Sequence, residues 1–258
     1  MIRADFHCHS CFSHDCFTPL AALLEMARRR FLTHLAITDH DSVEGALRAR
    51  DRSREIEIVV GCEISLNGGR HLIGLFLEQR PTARHVLEAI DQIHAQGGFV
   101  LLPHPFQPIS GLFHAGVDEA VLSRIDALEV CNGFEPPERN AQALKLAQSR
   151  RLPMLVGSDS HYLVDVGRAC VEFPDENGRL TPDILCKAKR KLYGPTQDLS
   201  ALHGADATFR AQSGKRFRAA VPKPLRKLAK HVNWLRFRRR IAAGCTEPVR
   251  KDLMHESV

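Results

Sequence analysis

Short apolar runs alternate with amphipathic stretches over residues 1–193. Each run is four to seven residues long and mostly apolar, the pattern typical of strands that are covered on both faces. The runs are Ile2–Phe6, Leu35–Thr38, Ile56–Cys62, Leu72–Leu77, Phe99–Leu102, Ala127–Cys131 and Pro153–Val156. The pattern therefore predicts seven buried strands.

Helix start signals precede most of the amphipathic stretches. Thr-Pro, Pro-Thr or Pro-Pro pairs place a capping residue or a first-turn proline at the right positions. These pairs predict helices over residues 19–30, 83–96, 138–151 and 182–193, and Ser42 is a candidate cap for a further helix that runs to about residue 54. Regular alternation of strands and helices favours a parallel sheet, and seven repeats favour one that closes into a barrel.

One connection differs from the others. Asn67-Gly68-Gly69 separates the third and fourth runs, and this composition is typical of a hairpin rather than a helical crossover. His71 then begins its strand, whereas the other candidate ligands end theirs. A hairpin reverses the chain direction and brings the start of that strand to the same rim, so we expect an irregular barrel.

Nine histidines and acids lie at or near the ends of these runs, where barrel enzymes carry their chemistry. Imidazole and carboxylate groups bind borderline divalent metals. The candidate ligands are His7, His9, His14, His40, Glu63, His71, His104, Asp159 and His161. Nine donors exceed what one ion needs and suit two or three ions, each with an open position for water or substrate. A carboxylate at Glu63 could bridge two of them.

Four of these segments resemble the motifs of the PHP (polymerase and histidinol phosphatase) family. They are Asp5-Phe6-His7-Cys8-His9-Ser10, Thr38-Asp39-His40-Asp41, Pro103-His104-Pro105 and Gly157-Ser158-Asp159-Ser160-His161. The resemblance spans roughly residues 1–175. It implies an α/β fold, a distorted (β/α)7 barrel with a trinuclear site, which agrees with the seven irregular strands.

The resemblance also implies how the ligands divide among three ions. The first ion would take His7, His9, Glu63 and Asp159, the second Glu63, His71 and His104, and the third His14, His40 and His161. The chain departs from the family at residues 13–16, Ser-His-Asp-Cys, where many members have Ser-Asp-Gly. Either His14 or Asp15 is therefore the ligand of the third ion.

Further residues near the motifs are candidates for catalysis and substrate binding. A hydroxide that bridges two ions is a nucleophile at neutral pH, and the ions neutralise phosphoryl charge. Besides Glu63, Asp39 is a catalytic candidate, either as a partner that orients a histidine or as an acid–base group. Arg168 could bind a substrate phosphate through two hydrogen bonds or be an ordinary surface arginine. Asn132 could face the substrate or shape the turn after its strand.

The composition separates the barrel from its C-terminal extension. Of 258 residues, 200–258 hold 14 basic and 4 acidic side chains, against 22 and 26 in residues 1–199. We expect a barrel domain over 1–194 and a basic extension over 195–258, packed on the barrel or tethered to it. This extension consists of a linker and a basic helix over 222–243, a segment that could bind nucleic acid or an anionic membrane surface. No run could span a bilayer, and we expect no signal peptide, eight reduced cysteines and a cytoplasmic location.

The predicted function is metal-dependent hydrolysis of a phosphomonoester or nucleotide at a di- or trinuclear site of Mn, Fe or Zn. The substrate partner would be a phosphorylated small molecule or a nucleotide. Three alternatives stay open: a 5′–3′ exonuclease on RNA or DNA guided by the basic extension, a metal-dependent amide or ester hydrolase, and a non-catalytic scaffold associated with a membrane.

Overall fold

The computed structural model describes residues 1–174 and 178–195 with their side chains, and the backbone of residues 250–256. The predicted linker beyond residue 195 and the predicted basic helix over 222–243 lie outside the described residues. None of the described helices is long and apolar enough to cross a membrane.

The seven predicted strands are all present. They are β1 Ile2–Asp5, β2 His34–Ile37, β3 Glu57–Ser65, β4 His71–Leu75, β5 Phe99–Leu102, β6 Ala127–Asn132 and β7 Met154–Gly157. Three further strands follow, β8 Cys170–Phe173, β9 Arg190–Pro195 and β10 Arg250–Glu256. The helices are α1 Leu20–Arg29, α2 Glu44–Arg52, α3 Val86–His94, α4 Glu119–Leu122, α5 Pro137–Arg150 and α6 Pro182–Lys187.

The strands form one curved sheet in the order β10-β9-β8-β1-β2-β3-β4-β5-β6-β7. β1, β2 and β3 pair in parallel, and so do β5, β6 and β7. The sheet nearly closes on itself, because Arg190 of β9 donates a hydrogen bond to the Met154 carbonyl of β7 at 3.3 Å and the His9 amide donates to the Ser160 carbonyl at 3.0 Å. This confirms the distorted barrel expected from the sequence.

The irregularity lies at the predicted hairpin. β4 runs antiparallel to both β3 and β5, and Ser65 pairs with His71 across the turn formed by Asn67–Gly69. His71 is therefore the first residue of a reversed strand. Its side chain lies at the rim where the parallel strands end, as the sequence predicts.

The apolar faces of the strands fill the barrel and the layer beneath the helices. Phe6, Phe99, Phe113 and Phe173 are at most 1% exposed. Burial of each such side chain contributes about 1.5–3 kcal/mol relative to exposure. The core thus holds the strand ends in place and leaves the rim to polar groups.

The end of the barrel differs from the predicted pattern. A single helix over 182–193 was wrong, because α6 stops at Lys187 and the chain continues as β9. The buried side chains of Arg190 and Leu192 explain the change, since pairing of β9 with β8 and β10 places them in the sheet.

Candidate metal centre

The predicted ligands are spread along the sequence, but in the structure they form a ring at one rim of the barrel. His7 and His9 follow β1, His40 follows β2, His104 follows β5, and Asp159 with His161 follows β7. Glu63 lies inside β3, which runs two residues beyond it, and His71 begins β4. Parallel strands end at a common rim, and the reversed β4 brings its first residue there as well.

Glu63 lies at the middle of this ring and is 1% exposed. Its Oε2 is 3.2 Å from His7 Nε2 and 3.1 Å from His9 Nε2. Its Oε1 is 2.8 Å from His71 Nδ1 and 3.0 Å from His104 Nε2. The two oxygens therefore face two different pairs of histidines, the arrangement required of a bridging carboxylate.

Asp159 faces two of the same imidazoles, those of His7 and His9, and also that of His161. Its Oδ1 lies 3.4 Å from His7 Nε2, 3.3 Å from His9 Nε2 and 3.5 Å from His161 Nδ1. The backbone of Asp159 has a φ of 51°, in the left-handed region that non-glycine residues seldom adopt. His104 has a φ of 28° and shares this feature. Local strain of this kind clusters at functional sites.

A third group of donors forms at the outer side of the ring around Asp15. Asp15 Oδ2 lies 3.0 Å from His161 Nε2 and 3.4 Å from His40 Nε2. His14 is exposed, and its ring centroid is 4.9 Å from that of His40. Of the two candidates left open by the sequence, the structure groups Asp15 with the other donors.

Four overlapping sets of donors have ligand atoms that lie within 4.8 Å of one another. The sets are His7, His9 and Glu63; His7, His104 and Asp159; His40, Glu63 and His71; and His9, Asp15, His40 and His161. All of these donors are imidazole nitrogens or carboxylate oxygens, which suits Mn, Fe or Zn.

The surroundings of two buried histidine nitrogens indicate that the site suits cations. The buried Nδ1 atoms of His40 and His71 make no hydrogen bond within the described part of the chain. Each nevertheless lies within 3.6 Å of a Glu63 oxygen. A buried polar atom without a partner is costly, and a divalent ion between these groups would satisfy it.

The carboxylates of the site stabilise positive charge, which protons on the imidazoles or bound cations can supply. Burial lowers the pKa of His9, but hydrogen bonds with Asp159 and Glu63 raise it by more, to about 10. Burial raises the pKa of Glu63, but the surrounding imidazoles, His40 first, lower it well below its usual range. Glu63 is thus held ionised even though it is buried.

A carboxylate that the sequence analysis did not single out lies behind these ligands. Glu129 of β6 is 1% exposed, and its Oε1 is 3.0 Å from His7 Nδ1. Its Oε2 accepts hydrogen bonds from the His104 amide at 2.7 Å and from Asn132 Nδ2 at 2.9 Å. The available signal was a single charge in the apolar run Ala127–Cys131, since buried charges occur only where they are paired.

The remaining predicted residues occupy supporting positions. Asp39 is fully buried and accepts hydrogen bonds from the Ser10 amide at 2.6 Å and from the Ser10 hydroxyl at 2.7 Å. It thereby fixes the loop that carries His9. Asn132 Nδ2 also donates to Asp159 Oδ2 at 3.2 Å. Arg168 is about one-third exposed, and its Nε lies 3.8 Å from Asp165 Oδ1.

Comparison with known proteins finds two matching families. The PHP domain family matches residues 5–163, and the PHP-associated family matches residues 137–191. An uncharacterised protein of Methanocaldococcus jannaschii is 30% identical over 192 residues, which cover 71% of this chain and 75% of that protein.

Solved structures share the fold. A two-domain protein from Bacteroides vulgatus, described as containing a predicted PHP-like metal-dependent phosphoesterase, has a TM-score of 0.65 at 18% identity; the match covers 75% of this chain and 65% of that one. A lesion-specific endonuclease from Pyrococcus furiosus has a TM-score of 0.52 at 18% identity, with 68% of this chain and 53% of that one covered. At these identities the likeness concerns the fold.

Proposed function

The chain belongs to the PHP domain family, and on that premise we propose that it is a metal-dependent phosphoesterase acting on a phosphomonoester or a nucleotide. The observation that carries the proposal is Glu63, whose two oxygens face different histidine pairs at 2.8–3.2 Å. Such a carboxylate suits two neighbouring cations.

We assign the ligands to ions as the family resemblance implies, and the distances around Glu63 and Asp159 support this division. His7, His9, Glu63 and Asp159 would hold a first ion, and Glu63, His71 and His104 a second. A third would lie among His40, His161 and Asp15, with His9 at its edge. Two or three Mn, Fe or Zn ions bound there would supply Lewis acidity toward a phosphoryl group and a water activated for attack at neutral pH.

The protein's own groups would orient the reaction. Glu63 keeps the two histidine pairs at a fixed separation, and Asp39 holds the His9 loop through Ser10. Because both Asp39 oxygens accept hydrogen bonds from Ser10, we assign Asp39 a positioning role. Arg168 would reach a substrate phosphate from the loop after β7, exchanging its distant contact with Asp165 for two hydrogen bonds.

A substrate panel on protein purified without a histidine tag tests the proposal. Metal analysis comes first, followed by assays with p-nitrophenyl phosphate, a nucleoside monophosphate, p-nitrophenyl acetate and an anilide. We expect phosphate release from a phosphate ester, its loss with a chelator and its return with Mn²⁺. Cleavage of the acetate or anilide with no phosphate released from either phosphate ester would contradict the assignment.

A nuclease is the second candidate, favoured by the 14 basic and 4 acidic residues in 200–258. The lesion-specific endonuclease that shares the fold shows that this architecture accommodates nucleic-acid chemistry. A polyanionic substrate would make activity strongly dependent on salt, because each phosphate contact releases counterions. A small substrate would give a weak dependence.

A further inference from the structure

Glu129 is a buried carboxylate that is not one of the proposed ligands. It lies in β6 between the buried apolar residues Leu128 and Val130. Enclosing an ionised group in such a strand costs several kcal/mol unless it is fully hydrogen-bonded. An ionised Glu129 in the core therefore requires partners that form hydrogen bonds with its carboxylate.

Each oxygen of Glu129 faces a different part of the metal centre. Oε1 lies 3.0 Å from His7 Nδ1, and Oε2 lies 2.7 Å from the His104 amide nitrogen. Asn132 donates through one Nδ2 atom both to Glu129 Oε2 at 2.9 Å and to Asp159 Oδ2 at 3.2 Å. One carboxylate thus contacts residues of two ion sites directly and a third ligand through Asn132.

We propose that Glu129 is a positioning residue that orients His7 and His104, and that Asn132 extends its hydrogen bonds to Asp159 rather than contacting substrate. The inference rests on the metal site of the proposed function. An Nδ1–H of His7 donated to Glu129 leaves the Nε2 lone pair of His7 facing Glu63 and Asp159, where an ion would be bound. The same carboxylate holds the His104 backbone in its positive-φ conformation.

The neighbouring strand β7 leaves room for the contact between Glu129 and His7. Gly157 ends β7 beside the pair, and a Cβ at this position would overlap the Cβ of His7 and Oε1 of Glu129. Any larger residue would push the imidazole and the carboxylate apart. The close approach of three strands at this point is what brings Glu129 within reach of His7.

Glu129→Gln tests the proposal with almost no change in volume. Oε1 faces the His7 nitrogen and Oε2 faces two donors, whereas glutamine has a single oxygen and an amide group that donates. One orientation leaves a donor facing a donor, and the other is satisfied only if the His7 proton moves to Nε2, the nitrogen that an ion would bind. We expect the chelator-stripped variant to bind Mn²⁺ about 10–100-fold more weakly than the wild type, the range typical of lost partners of metal ligands.

The matched control is Glu57→Gln at the start of β3, the strand that carries Glu63 near its other end. Its side chain is about half exposed and lies beside His34 rather than the centre. This variant should bind Mn²⁺ like the wild type. Circular dichroism of both variants in chelator checks that a loss of binding is not a loss of fold.

Asn132→Ala provides a second test that does not depend on the folding of Glu129→Gln. It removes the donor to Glu129 and Asp159 while leaving the His7 contact, and we expect Mn²⁺ binding about 10-fold weaker. If a folded Glu129→Gln variant or the Asn132→Ala variant bound Mn²⁺ as tightly as the wild type, the inference would be overturned. Failure of the wild type itself to bind Mn²⁺, Fe²⁺ or Zn²⁺ would instead contradict the proposed function, so the two failures are distinguishable.

Discussion

Both oxygens of Glu63 lie against imidazoles, and its charge is balanced by histidines beside four other strands. Glu63→Gln keeps the size of the side chain but replaces one oxygen by an NH2 group, which cannot bind a cation. We expect at least one fewer bound ion per chain and, because bound ions contribute several kcal/mol to the transition state, a fall in phosphoesterase turnover on the order of 100-fold or more. Elemental analysis and steady-state assays measure the two effects. Full metal occupancy in this variant would exclude a bridging role.

Asp15 and His14 are adjacent in sequence, but their side chains have different surroundings. The Asp15 carboxylate faces His161 and His40, whereas His14 is exposed. We therefore expect Asp15→Asn to lower the number of bound ions and His14→Asn, the matched neighbouring change, to leave it unchanged. Metal analysis at saturating Mn²⁺ decides between them. The reverse result would assign the third ion to His14.

The spacing of residues could not decide between these two side chains for a physical reason. Contacts with a residue far along the chain set the conformation of the loop after β1: the Cys16 thiol and the Thr18 hydroxyl both donate to the His161 carbonyl, at 3.3 and 3.2 Å. Glu129 was missed for a related reason. Its role depends on strands that are far apart in sequence, and the local pattern shows only one charge in an apolar run.

At the scale of elements, short strands and their polar ends were predictable because each is encoded locally. Apolar runs indicate buried strands, and Asn67–Gly69 indicates the reversal that brings His71 to the rim. The segment after α6 was not predictable in this way. Its residues suit a helix by periodicity, but pairing with β8 and β10 places them in a strand, and tertiary context of this kind overrides weak local preference.

The start of α2 depends on a close approach that only a missing side chain allows. A Cβ on Gly45 would overlap Asp39 Oδ2 and crowd the Ser10 hydroxyl, which are themselves hydrogen-bonded. We expect Gly45→Ala to lower the free energy of unfolding by about 1–3 kcal/mol, as overpacking of a filled core does. Urea denaturation in chelator measures this without the stabilisation that bound ions add.

Asp51→Ala is the control for that measurement, because its side chain is exposed on the same helix. A surface change of this kind should alter the unfolding free energy by no more than about 0.5 kcal/mol. Equal stability of Gly45→Ala and wild type would mean that α2 can move away from the His9 loop without cost.

At the scale of the whole molecule, the contacts that close the barrel also bring the centre together. The His9 amide meets the Ser160 carbonyl where the first and last parallel strands come together, and Asp5 accepts hydrogen bonds from the Ser158 and Gly167 amides at 2.9 Å each. The first motif is thereby fixed against the last. Ligands separated by some 150 residues of sequence become neighbours only once the sheet has curved round, so their distances could not be predicted from the chain alone.

The uneven charge of the chain provides a test at this scale that separates a small substrate from a polyanion. Four arginines at 236, 238, 239 and 240 lie in the basic extension. If they each contacted a phosphate of single-stranded RNA, the counterion-release slope would weaken binding on the order of 50-fold between 50 and 200 mM salt.

A small phosphomonoester has one or two charges and no comparable counterion atmosphere. We therefore expect turnover of p-nitrophenyl phosphate to change little over this range, and the full-length chain with all four arginines replaced by glutamine to match the wild type. Measuring the same two proteins with an RNA oligonucleotide completes the comparison. Steep salt dependence that the substitutions flatten, together with RNA cleavage exceeding phosphomonoester turnover, would make the nuclease the correct assignment.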